Sequence, residues 1–211
     1  IPILYTQSFC DRGTTPDSNL TITKVKIEKD SSGNNEEWKL LDDVTVTIKV
    51  KNIGDDDIDD IFVEIGLFDS TGDDMTTNLV FSNADEDEID LGSLSENEDE
   101  EVTFEFKVPA DFDTGSYRLA VKAYEDGNQD VQCVDESADF EGDEVLFEEI
   151  KVERESDKNK YVIVDDIQIQ AEATCGETVS GSFTVFNIGR GTQEQTLVRM
   201  LVPGLSISRD F

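Results

Sequence analysis

The sequence predicts an all-β protein: antiparallel β-sandwiches in tandem, the second incomplete within this chain. Three observations predict it. Short alternations of apolar and polar residues return at about ten-residue spacing, as in a sandwich. No window of useful length carries a helical period. Three strands, with the same turn between two of them, occur twice in the same order.

Taken in chain order, residues 1–18 form an N-terminal extension and residues 19–153 a first domain. Leu20, Ile22, Val25 and Ile27 mark its first strand. The connection "DSSGNNEEWKLLD" follows as a loop. Val44, Val46, Ile48 and Val50 then alternate with Thr45, Thr47, Lys49 and Lys51, a strand with one buried face. Asn52-Ile53-Gly54 turns the chain into Ile61, Val63, Ile65 and Leu67. Thr76 to Ser82 reads as a short strand, and Ile89 to Leu91 as a shorter one on an edge. Val102, Phe104, Phe106 and Val108 alternate with Thr103, Glu105 and Lys107. Pro109 and Gly115 frame a turn before Tyr117, Leu119, Val121 and Ala123. Val145, Phe147, Ile150 and Val152 close the domain.

The same order then restarts. Val162, Val164, Ile167 and Ile169 have the spacing of Leu20, Ile22, Val25 and Ile27, 142 residues on. Val179, Gly181, Phe183 and Val185, with Asn187-Ile188-Gly189, match the second strand and its turn at 135 residues. Thr196, Val198, Met200 and Val202 match the third strand. Residues 154–160, "RESDKNK" with its flanks, read as a polar linker. Residues 161–211 read as the first strands of a second sandwich, to be completed by further chain or by another molecule, since half a sandwich exposes its inner face and its edges.

Composition narrows the function. The chain holds 50 acidic and 17 basic residues, a net charge of −33. Binding to nucleic acid, which needs Lys and Arg to neutralise phosphates, is disfavoured, and so is an anionic membrane surface. Divalent cations and basic partners suit such a surface. The absence of His removes imidazole acid–base catalysis and most zinc chemistry. No apolar run reaches the ~20 residues of a membrane span. Serine and threonine nucleophiles have no His base, and a carboxylate-only mechanism needs two acids placed in a cleft. The expectation is therefore a protein that is not an enzyme.

The run "DLGSLSENEDEEVTFEFKVPADFDTGSYRLAVKAYEDG" resembles the CARDB-type adhesion domain, an immunoglobulin-like module of bacterial and archaeal surface proteins. The matching positions are Leu94, Asn97-Glu98, Val102, Phe104, Phe106, Pro109, Gly115, Tyr117, Leu119 and Val121. Asn97 stands where the family usually has Gly, and Asn can also adopt a positive φ. The end of the chain, "CGETVSGSFTVFNIGRG", together with the acidic first domain, is similar to surface-layer (S-layer) proteins of small-genome archaea, of the woesearchaeal and pacearchaeal kind. The resemblance implies tandem immunoglobulin-like sandwiches and an extracellular, cell-surface location. It carries no catalytic residue.

In an immunoglobulin-like sandwich the N-terminus, the second-to-third strand loop and the last hairpin loop share one pole. Cys10 precedes the first strand and Cys133 lies in the last hairpin connection, so a Cys10–Cys133 disulfide is expected. Cys175 belongs to the second copy and is expected to be unpaired or paired outside the chain. Loop carboxylates gather at the same pole: Asp55, Asp57 and Asp59 in one loop, Asp126 and Asp130 in the other. They form the candidate Ca²⁺ ligands, because Ca²⁺ takes several hard oxygens in flexible geometry. The alternative is plain solvated charge, since no EF-hand spacing is present: Val131 stands where the loop needs Gly, and Ser137 where it needs Glu.

Residues 1–154 hold 42 acids and 12 bases, whereas residues 155–211 hold 8 and 5. Charge confined to one copy argues for a local purpose rather than a general adaptation to salt. Asn19-Leu20-Thr21 is an N-glycosylation triplet, with Asn19 as acceptor. Phe62 and Phe68 fall on the outer face of their strand; either a loop covers them or a neighbouring domain does. The expected function is a structural building block of a self-assembling surface array. Its expected partners are copies of itself, adjacent domains and divalent cations. An adhesin, or a filament subunit joined by strand donation, is the alternative.

Overall fold

A computed structural model describes residues 8–11, 15, 17–82, 87–136, 146–155, 159–170, 172, 174, 176–202 and 207–211. The chain divides into two compact units, residues 1–153 and 154–211. Both are built from strands, and a three-residue 3₁₀ turn at Thr76–Asn78 is the one helical element among the described residues.

The first unit is a two-sheet antiparallel sandwich. Its strands are β1 (Leu20–Lys29), β2 (Glu37–Lys39), β3 (Asp43–Asn52), β4 (Ile58–Phe68), β5 (Val80–Phe81), β6 (Glu88–Leu94), β7 (Asp99–Lys107), β8 (Gly115–Glu125), β9 (Cys133–Val134) and β10 (Phe147–Glu153). One sheet has the order β1-β3-β7-β5. The other has the order β2-β10-β8-β4-β6, with β9 added to β8. Alternation decides what faces inward. Val44, Val46, Ile48 and Val50 of β3 are buried, as are Ile61, Val63, Ile65 and Leu67 of β4 and Leu119, Val121 and Ala123 of β8. Burying each large aliphatic side chain contributes about 1.5–3 kcal/mol.

The three-residue step between Ile22 and Val25 has a structural cause. The β1–β3 register shifts between Ile22 and Lys24, so a bulge at Thr23 restores the inward phase. In the second unit β11 (Val162–Ile169) pairs with β12 (Gly181–Asn187), and its register also shifts, between Asp165 and Gln168.

Two connections depart from expectation. The stretch Thr76–Ser82 is a 3₁₀ turn followed by the two-residue β5, not one strand. Thr76 is buried and its Oγ1 accepts the Leu67 N–H at 2.7 Å, which pulls the segment across the sheet end. The long first connection is not all loop. It contains β2, which runs parallel to β10 and places Trp38 at 0% exposure against Phe106. Asp42 closes that connection by accepting from Ser31 Oγ at 2.7 Å and from the Lys39 N–H at 2.8 Å.

The second unit consists of the β11–β12 pair and a separate pair, β13 (Arg199–Val202) with β14 (Ile207–Asp210). Its apolar residues are largely exposed: Val164 by 41%, Ile169 by 59% and Leu201 by 62%. At the start of the expected linker, Arg154 donates to the Asn187 carbonyl and the Glu155 N–H donates to the Ile188 carbonyl at 3.0 Å. The chain is thus tied to the second unit from residue 154.

The Asn-Ile-Gly turn is the same device in both units. In the first, Asn52 Nδ2 donates to the Asp56 carbonyl at 2.8 Å and the Gly54 N–H donates to Asn52 Oδ1 at 2.9 Å. The Ile53 N–H donates to the Asn19 carbonyl at 2.7 Å. In the second, Asn187 Nδ2 donates to the Gly191 carbonyl at 2.9 Å and the Gly189 N–H to Asn187 Oδ1 at 3.2 Å. The Ile188 N–H donates to the Tyr161 carbonyl at 2.9 Å. Each of these bonds is displaced by the two sequence offsets already noted.

Candidate functional site

The pole of the first unit that carries the acidic loops is assembled around one covalent link. Cys10 and Cys133 form a disulfide with an S–S distance of 2.01 Å, bridging 123 residues. Both half-cystines are buried with Tyr124, and Phe62 packs against them. The extension before β1 is stitched to β9 on either side of the bond. The Thr15 N–H donates to the Cys133 carbonyl at 3.0 Å, and Gln132 Oε1 accepts the Asn19 N–H at 2.8 Å.

Asp135 anchors the same segment. It is 1% exposed. Its Oδ2 accepts from the Ser8 hydroxyl, from the Phe9 N–H at 2.7 Å and from the Cys10 N–H at 2.9 Å. Charge-assisted bonds of this kind hold a buried carboxylate that would otherwise be costly. The signal in the sequence was only its place two residues after Cys133, which fixes it beside whatever Cys10 brings along.

Of the five candidate cation ligands, Asp55 and Asp57 lie in the β3–β4 loop and Asp126 and Asp130 in the loop after β8, whereas Asp59, expected in the loop, belongs to the start of β4 because the strand begins at Ile58. The Asp126 N–H donates to the Asp60 carbonyl at 2.9 Å, joining the start of β4 to the loop after β8. Asp55, Asp57, Asp59, Asp126 and Asp130 are all exposed. Asp57 Oδ1 accepts the Glu96 N–H at 3.3 Å. Among the described residues no group of three or more carboxylates or thiols converges as metal ligands. Cys175 lies outside the described residues. Asn19 is half-buried, and its side chain is laid over Gly54 so closely that a Cβ there would come within 2.6 Å of Asn19 Cγ. A glycan on its amide requires the side chain to leave that position.

The turn motifs quoted from the sequence act on this pole. Asn52 is fully buried, and its Nδ2 also reaches the Leu94 carbonyl at 3.0 Å. The Asn52 N–H donates to the Glu98 carbonyl at 2.9 Å. Asn97 takes φ +60°, the left-handed conformation that the turn needs. Glu98 folds back to accept the Ser95 N–H at 2.9 Å. At the other end of the unit, the Tyr117 hydroxyl donates to the Asp113 carbonyl at 2.7 Å and closes the turn before β8.

Phe62 and Phe68 are covered by the chain's own N-terminal segment. Phe62 stacks on Tyr124 beside the disulfide, with ring centroids 6.0 Å apart, and Phe9 meets Phe68 edge to face at 5.5 Å. Burial pushes the Tyr124 phenol well above the usual phenol range, and its hydrogen bond to the Glu88 carboxylate raises it further. Burial likewise raises Glu64, against the opposing pull of Lys122 at 2.6 Å.

No protein-family model matches the chain. No curated protein matches it. Among solved structures, the C-terminal domain of wzt is 16% identical, with a TM-score of 0.45, over 68% of this chain and 82% of that one. A CARDB domain from Pyrococcus furiosus, solved in complex with di-metal ions, is 15% identical over 66% of this chain and 91% of its own, with a TM-score of 0.37. A Niemann-Pick type C2 protein from the Japanese carpenter ant is 13% identical over 66% and 97%, with the same TM-score of 0.37. The chain is similar to these at the level of strand layout.

Proposed function

We propose that the chain is a structural module of an extracellular, cell-surface assembly of the S-layer kind, acting through self-association and not through catalysis. The observation that carries this reading is the repeated Asn-Ile-Gly device, with its three equivalent hydrogen bonds in each unit. A chain that places the same rigid joint in successive units is suited to extended arrays. The buried Cys10–Cys133 bond supports an oxidising compartment. The exposed carboxylates at one pole support cation bridging between copies, since a net charge of −33 otherwise keeps copies apart.

The test is light scattering and negative-stain imaging of the protein with Ca²⁺ or Mg²⁺, then with chelator. The expected result is growth of ordered particles with cation and their dispersal on chelation. A monomer at every cation concentration would sink the reading. Strand donation is a second reading, supported by the exposed apolar side chains of β11 and β12. It predicts protection of β12 amides from hydrogen exchange in the assembly and not in the isolated chain.

A further inference from the structure

The outer face of the β10-β8-β4 sheet carries a depression. Small residues make it. Gly66 of β4 pairs with Ala120 of β8, which pairs in turn with Phe147 of β10. A Cβ on Gly66 would lie 2.7 Å from the Phe68 ring and 2.9 Å from the Phe9 ring, so only glycine lets these rings settle onto the sheet. Phe9, Phe68 and Phe147 thus wall a cavity of about 280 Å³. That is just below the ~300–1,000 Å³ of sites for drug-sized ligands, and it suits a single ring.

The polar lining is balanced. Arg118 and Lys122 supply two cations, Asp11 and Asp74 two carboxylates. Lys122 is already engaged, 2.6 Å from Glu64 and 4.6 Å from the centre of the Phe9 ring. Arg118 is not. It gives one nitrogen to the Asp69 carbonyl at 3.1 Å and lies 5.0 Å from the centre of the Phe147 ring, with no described carboxylate paired to it. A half-buried guanidinium with no partner among the described carboxylates keeps N–H groups in reserve at the cavity wall. Asp11 is exposed at the rim, and Asp74 accepts from the Thr76 N–H at 2.8 Å and the Thr76 hydroxyl through Oδ1, which leaves Oδ2 to face the cavity.

This lining discriminates among ligand classes. An anion would meet two carboxylates and the field of the whole protein. A cation would meet Arg118 and Lys122. A plain aromatic ring would fill the walls and leave the polar groups without partners, at a cost. A peptide strand finds no edge at the floor of the depression, because β8 and β4 are interior strands. A neutral pyranose meets every requirement: its C–H face packs on the aromatic walls, and its hydroxyls donate to Asp11 and Asp74 and accept from Arg118. The geometry points to a binding site for one neutral hexopyranose unit of a glycan.

The test is saturation-transfer NMR on the full chain with methyl glucopyranoside, methyl mannopyranoside, methyl galactopyranoside and N-acetylglucosamine. Glucuronate, glucosamine and phenol serve as charged and aromatic comparators. Transfer to the ring C–H protons of at least one neutral sugar is expected, with affinity at least tenfold above every comparator. Arg118→Gln should weaken it about tenfold and Phe68→Ala should abolish it, while Arg209→Gln, in the other unit, leaves it unchanged. Trp38 emission checks that each variant is folded, and R118Q decides alone if F68A is not. No transfer from any of the four neutral sugars, equal binding by R118Q, or tighter binding of a comparator would overturn the assignment. Light scattering reads assembly separately, so the two proposals can fail independently.

Discussion

The Asn52 turn is a concentrated test of how this fold is held. Asn52→Ala removes three side-chain hydrogen bonds at once: two donated, to Asp56 and Leu94, and one accepted from the Gly54 N–H. Each contributes about 0.5–1.5 kcal/mol net, and a buried group left without a partner costs roughly 1–3 kcal/mol. Asn52 is fully buried, so water cannot take over these bonds in place. These contributions overlap, and a loss of about 3 kcal/mol is expected. The assay is urea unfolding followed by tryptophan emission. Trp38 is the sole tryptophan and is completely buried in the first unit, so the signal reports that unit. With a urea slope of ~1–3 kcal/mol per molar, the midpoint should fall by about 1–3 M. Asn52→Asp keeps the acceptor for Gly54 but turns two donors into an acceptor facing carbonyls, and should cost at least as much. A midpoint shift below about 0.3 M for Asn52→Ala would refute the claim that this side chain locks the turn.

Replacing both Cys10 and Cys133 with Ser should lower first-unit stability by about 3–5 kcal/mol, as chain entropy suggests for a loop of this length; an unchanged urea midpoint would count against it. The same variant should expose Phe9 and Phe62, seen as increased binding of an apolar dye. Tyr117 and Tyr124 both have phenols raised above the ordinary value of 10.0, chiefly by burial. Because the folded values lie above the unfolded one, the stability they confer is fully present below pH 10 and is lost as pH rises beyond it. Absorbance of the native protein at 295 nm near pH 11 should therefore fall short of four tyrosinates, and the deficit should appear on unfolding. Full ionisation in the folded state would contradict the burial of these two rings.

The acidic pole was legible because chain topology, not side-chain detail, decides which loops meet. Once strands were placed by their alternation, Cys10, Asp55, Asp57, Asp59, Asp126, Asp130 and Cys133 fell at one end. Asp135 was not legible in the same way. Acidic and polar residues follow it as on any wet loop, and its burial depends on backbone N–H groups of Phe9 and Cys10, more than 120 positions away. The sugar-sized depression was equally silent. Gly66 and Ala120 look like ordinary small residues in their strands until the register sets them side by side.

The sequence by itself determined the long strands, their inward faces, the capacity of Asn97 for a left-handed turn and the recurrence of the Asn-Ile-Gly turn. These follow from period-two alternation and from backbone conformations that few residues adopt, both local properties. Tertiary structure alone decided that Trp38 joins the core on a three-residue parallel strand and that residues 76–78 coil. It also decided that Phe9 covers the outer face of β4. Such features are settled by partners far away in the chain, whose contact energies outweigh local preference only once the sheets have come together.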